Sequence, residues 1–169
     1  MLERFARGGL FTLKVRVCLI SVFLGKLFAL LIPLLLMLMI TVVVSRYFFG
    51  VGRTDLQELA LYIHGLIFLG CAGWAYLEDE HVRVDIIYRN ASNNYKRKID
   101  TLGIIFFLIP LVILIGYFSI NFVSSSWMVQ EASTEPGGLP FVYLQKTIIL
   151  LLPIVLFFAA IEKLIKLWK

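Results

Sequence analysis

Charge is what this sequence has least of. Only 16% of its 169 residues are Asp, Glu, Lys or Arg, against 60% apolar residues, and the mean hydropathy is +0.91. Soluble chains carry about 25% charged residues, which excludes an ordinary soluble domain and a disordered tail. Cysteine is scarce as well: Cys18 and Cys71 stand in separate apolar stretches, with no CxxC and no histidine at metal spacing. A disulfide-stapled secreted module is therefore excluded, and both thiols are expected to be buried and free. A spanning helix needs about 20 residues, so four spans use about 80 and leave too few for a separate catalytic domain. What remains is a small, all-α, polytopic membrane protein.

The hydrophobic runs place its spans. Leu27 to Val44 is uncharged between Lys26 and Arg46, and the first span is assigned to 27–45. Pro33 falls in its first turns, where a missing N–H costs least. The second span, 59–77, holds His64 and two tyrosines as its ionisable groups. An uncharged run from Thr101 to Gln130 puts the third span over 102–123, with Trp127 at or just beyond the interfacial belt. Thr147 to Ile161 alone gives about 22 Å of helix, too short to cross. The fourth span is therefore set at 141–161, just inside Pro140, with Lys146 snorkelling its ammonium outward. Pro110 and Pro153 predict kinks.

Residues 1–26 are expected to form a cytoplasmic segment ahead of a four-helix transmembrane domain over 27–165. Within that segment an amphipathic helix lies at the interface before the chain turns in at Lys26. The apolar run after Lys26 is too long for a signal-peptide core, and no A-x-A-like site follows it, so this leader is expected to stay uncut. The net charge of +5 does not point to nucleic acid, because Lys and Arg number 5, 2, 5, 1 and 3 in the successive segments around the spans. That alternation places both termini in the cytoplasm.

Absences inside the spans narrow the chemistry. An intramembrane charge is expensive and usually functional, yet no Asp, Glu, Lys or Arg lies in the middle of a span. A proton-coupled four-helix exporter needs an embedded carboxylate, a haem-b cytochrome needs paired histidines on facing helices, and a thiol oxidase needs reactive cysteine pairs. None of these sets is here. His64 shares a face of span two with Ala60, Ile67, Cys71, Ala75 and Glu78, and the small residues on it suit close helix approach. Gly70 and Gly73 lie on other faces and widen the surface open to a partner helix. Arg46 and Glu58, at facing ends of spans one and two, are placed for an ion pair that fixes the outer hairpin. The cytoplasmic stretch His81-Val82-Arg83-Val84-Asp85 alternates charge with β-branched residues. The outer loop carries Glu131 and Glu135 facing outward, and its Pro136-Gly137-Gly138 breaks any helix.

These residues also carry a resemblance. Ser45-Arg46-Tyr47 with Gly50, then Glu58, Leu59 and Tyr62, Phe68 to Gly70, and above all His81-Val-Arg83-Val-Asp85 resemble the small membrane subunit of tripartite ATP-independent periplasmic (TRAP) transporters, the DctQ-like family. The likeness runs from about residue 27 to 165. The chain departs from the family pattern at Thr54–Gln57, ahead of Glu58, and at Glu80. The resemblance implies a multi-pass protein of the bacterial inner membrane that is not an enzyme and has no cofactor of its own. Its implied partners are a large elevator-type membrane subunit, which binds the sodium, and a periplasmic substrate-binding protein that captures an organic acid; membrane lipids surround it. In that frame Arg46, Glu58, Tyr62, His64, Gly70, Cys71, His81, Arg83 and Asp85 are structural or interface residues. Glu131, Glu135, Gly137 and Gly138 would lie near the docked binding protein. The rival reading is a self-sufficient homo-oligomeric four-helix channel or exporter, for which His64, Asn121 and some hydroxyls are the available pore lining.

Overall fold

The computed structural model of the protein describes residues 21–80 and 92–168. These residues are mostly helical, with short connections and no strand among them. Four helices are long and apolar enough to cross a membrane: α1 (Ser21–Phe48), α2 (Thr54–Leu77), α3 (Asn94–Met128) and α4 (Val142–Leu167). Each of the four expected spans falls on one of them, and every helix is longer than the span assigned to it. Hydropathy marks only the lipid-matched stretch, whereas backbone hydrogen bonding continues into polar turns. The 35 residues of α3 extend about 52 Å, against about 30 Å of hydrocarbon.

The prolines act through the hydrogen bonds they remove. Pro110 has no N–H for the carbonyl of Phe106, and the turn before it, Ile104–Leu108, is wound as a π-helix. Ahead of Pro153 the turn Ile148–Leu150 tightens to 3₁₀. In α1 the Leu31 N–H goes to the Phe28 carbonyl at 3.0 Å, and regular helix resumes at Ile32 with Pro33 in its first turn.

The chain does not turn in at Lys26, because α1 is already helical from Ser21 and packs on α2 along that stretch. A Cβ on Gly25 would lie 2.5 Å from that of Trp74, a Cβ on Gly70 would meet the Phe28 ring, and the Cys71 thiol donates to the Gly25 carbonyl at 3.3 Å. Residues 21–26 thus continue the first helix. The rest of the expected interfacial segment, residues 1–20 with Cys18, lies outside the described residues.

Contacts run from α1 to α2, from α2 to α4 and from α4 to α3, so α2 and α4 are the inner pair. Lipid tails are as apolar as leucine, so these helices associate by close packing of small residues rather than by hydrophobic drive. On α4, Ala159 and Ala160 are fully buried. On α3, Ile104, Val112, Ser119, Val123 and Ser126 recur at helical spacing as its buried residues, and Gly116 lies against Pro153. Gly73 lets α2 reach the Val155 backbone of α4: a Cβ there would sit 2.7 Å from the Val155 carbonyl oxygen. The surface expected to await a partner helix is thus used inside the chain, with Gly70 turned to α1 and Gly73 to α4.

Candidate interaction site at the connection end

The α1–α2 turn and the α3–α4 loop lie at one end of the bundle, called here the connection end. At the start of α2 the Glu58 carboxylate accepts two hydrogen bonds from the loop, one from the Ser133 hydroxyl and one from the Leu139 N–H at 2.6 Å. Gly138 closes over this latch, and a Cβ there would lie 2.7 Å from Glu58 Oε1. Within the loop the Ser133 N–H reaches the Leu139 carbonyl at 3.1 Å and the Gly138 N–H reaches the Glu135 carbonyl at 3.0 Å. Gly137 takes φ +75°, a left-handed backbone that favours glycine.

Glu131 ties the other two helices together. Gln130 ends α3 in a left-handed cap, and the Glu131 N–H returns to the Ser126 carbonyl at 3.1 Å. The Glu131 carboxylate then accepts from the Ser126 hydroxyl at 2.8 Å and from the Lys146 ammonium of α4. Those two donors, Lys146 foremost, hold its carboxyl below the ordinary glutamate value. Lys146 also lies 4.5 Å over the Phe122 ring. Beside it the Trp127 indole N–H donates to the Thr147 hydroxyl at 2.8 Å, and the Trp127 ring meets Tyr143 edge-on at 4.8 Å.

Several expected placements change. Arg46 and Glu58 do not pair, for a reason of helical phase. Gln57, Leu61 and His64 face α1, whereas Glu58 is rotated by about 100° toward the loop. Arg46 instead lines a groove between α1 and α2 with Gln57 and His64, and no ion pair reaches it among the described residues. The ion pair near this turn joins Arg53 and Asp55 at 2.7 Å. The Lys146 ammonium reaches out to the loop, where Glu131 holds it. Glu131 is part-exposed and bonded back to Ser126 and Lys146, while Glu135 and Gly137 are exposed. Tyr62 is buried one turn beyond Glu58. His64 is exposed, with its ring 6.2 Å from that of Phe68, and bridges to no other helix among the described residues. His81, Arg83 and Asp85 lie outside the described residues.

A charged cluster at the opposite end escaped the sequence reading. Lys163 of α4 is buried, its ammonium bonded to Asp79 and to the Tyr76 carbonyl at 3.4 Å and set 4.7 Å over the Tyr76 ring. Asp79 reaches it from a left-handed position just past the end of α2, at φ 60°. Glu162, next to Lys163 and also buried, pairs with Lys166 at 2.9 Å. That i, i+4 spacing was the available signal. Among the described residues no group of three or more His, Cys, Asp or Glu converges.

The fold and its two ends define a multi-pass helical membrane protein in which Glu58, Glu131, Lys146, Asp79 and Lys163 fasten its own helices together. The family model described as tripartite ATP-independent periplasmic transporters, DctQ component, matches residues 35–169. The chain belongs to that family, as the Ser45–Gly50 and His81–Asp85 resemblance anticipates, and is therefore a small-subunit component of a transporter. No curated protein and no solved structure matches it.

Proposed function

We propose that this chain is the non-catalytic scaffold of a sodium-coupled, binding-protein-dependent transporter that imports an organic acid. It sits in the bacterial inner membrane with both termini cytoplasmic and the connection end in the periplasm. It supports a large elevator-type subunit, which holds the sodium, and presents Glu135, Gly137 and Gly138 near the docked binding protein. The observation that carries this reading is the bolting of the α3–α4 loop to three helices through Glu58 and Glu131. A frame that must stay still while a neighbour moves needs its helix ends locked, and Glu58, Ser126, Glu131 and Lys146 are engaged in that locking. Large apolar side chains such as Leu30, Met37, Phe107 and Tyr117 are exposed on the outer helices, leaving faces for lipid and for the large subunit.

The test is reconstitution in vesicles under a sodium gradient. The chain alone is expected to move no solute, and the chain with its large subunit and binding protein to accumulate organic acid. Uptake by the chain alone would instead establish the channel or exporter reading.

A further inference from the structure

We propose that the groove between α1 and α2 binds one phospholipid of the leaflet at the connection end, its phosphate on Arg46 and one acyl chain along the helices. This goes beyond the scaffold role and does not depend on it. The groove holds about 670 Å³, within the range of about 300–1,000 Å³ typical of small-ligand sites. Leu35, Met39 and Val43 of α1 and Leu61 of α2 make its apolar body, Arg46 and Gln57 sit at its polar end, and His64 lines it about 10 Å deeper along α2 than Gln57. This is the polarity of an amphiphile with an anionic head. With Glu58 committed to the α3–α4 loop, the Arg46 guanidinium has no carboxylate partner among the described residues. A planar guanidinium is suited to bidentate contact with phosphate.

Depth distinguishes a lipid from a partner helix. Tyr47 is strongly exposed beside Arg46, and tyrosine is enriched at the membrane–water interface. From Arg46 to Leu35 the groove runs about 16 Å along α1, close to half of the hydrocarbon thickness of about 30 Å. It is one leaflet deep. Beyond it α1 and α2 close on each other at Phe28 against Gly70 and Gly25 against Trp74. A membrane-crossing partner helix would need the groove to continue through both leaflets, whereas a single acyl chain ends where this one does.

The experiment is native mass spectrometry of the full chain, purified in detergent, exchanged with excess phosphatidylglycerol and then washed. The wild type is expected to retain one phospholipid. Arg46→Gln, which removes the charged hydrogen-bond donor, should lower that retention by at least about tenfold. Leu61→Trp, which fills the groove from an exposed position, should abolish it. Arg53→Gln, at the other arginine of this turn, should leave it unchanged. Helical circular dichroism confirms that each variant is folded. The proposal is overturned if the wild type retains no lipid, or if both groove variants retain it. Loss from Leu61→Trp alone also overturns it, since the groove is then apolar only and Arg46 does not read a phosphate. Release of the lipid on adding the large subunit overturns it too, by showing that a partner helix is the occupant.

Discussion

Replacing Gly73 with alanine tests how α2 and α4 are held together. The added Cβ would lie 2.7 Å from the Val155 carbonyl oxygen, 3.1 Å from its carbon and 3.2 Å from its Cβ. The nearest of these is backbone inside a helix, with no rotamer to swing away, so the two helices must separate. Overpacking of this kind costs about 1–3 kcal/mol. Alanine recovers about 1 kcal/mol of helix propensity over glycine, leaving a net loss of about 0–2 kcal/mol. At about 1 kcal/mol that is roughly a fivefold fall in the folded-to-unfolded ratio. Gly65→Ala is the matched control on the same helix, because its Cβ would meet Ile148 at an ordinary 3.8 Å; that variant should be neutral or slightly stabilised. Gly70→Ala should fall between them, since the obstacle is the Phe28 side chain, which can turn. The assay is unfolding of the purified chain in mixed detergent micelles of rising sodium dodecyl sulfate content, followed by helical circular dichroism. A Gly73→Ala protein as stable as the Gly65→Ala protein would refute the reasoning.

Glu58→Ala should cost about 1–3 kcal/mol, because the Leu139 N–H and the Ser133 hydroxyl lose their acceptor; faster hydrogen exchange at the Leu139 amide and proteolytic cutting in 130–140 would report it. Gly138→Ala should open the same latch sterically and give the same exchange signature, although it deletes no hydrogen-bonding group. Glu131 makes the α3–α4 staple dependent on acid. Its folded-state carboxyl titrates below the unfolded value, so its contribution is fully present above the ordinary glutamate range, about 4.3, and is lost as pH falls through the folded value. Thermal stability in detergent should therefore hold from pH 7 to pH 5 and decline in stronger acid, and Glu131→Gln should remove that part of the decline.

What the sequence by itself determined is the part that obeys the solvent. Four uncharged runs, an alternation of basic residues between them, and prolines that disturb helical hydrogen bonding were all legible, since each follows from one segment meeting lipid or water. The family was legible too, through Ser45–Gly50 and His81–Asp85. Pairings between segments were not. Arg46 and Glu58 face the same turn in sequence, yet the rotation of about 100° between Gln57 and Glu58 sends one side of α2 to the groove and the other to the loop. Lys146 and Glu131 read as groups turned outward, and nothing in the sequence singled out Lys163 or Asp79, because their partners are many residues away. Gly70 and Gly73 read as open surface until the order of packing, α1 on α2 and α2 on α4, gave each a neighbour. Hydropathy fixes where a helix begins to cross. Which of its faces meets which partner depends on helix phase and crossing geometry, and these exist only once the helices pack.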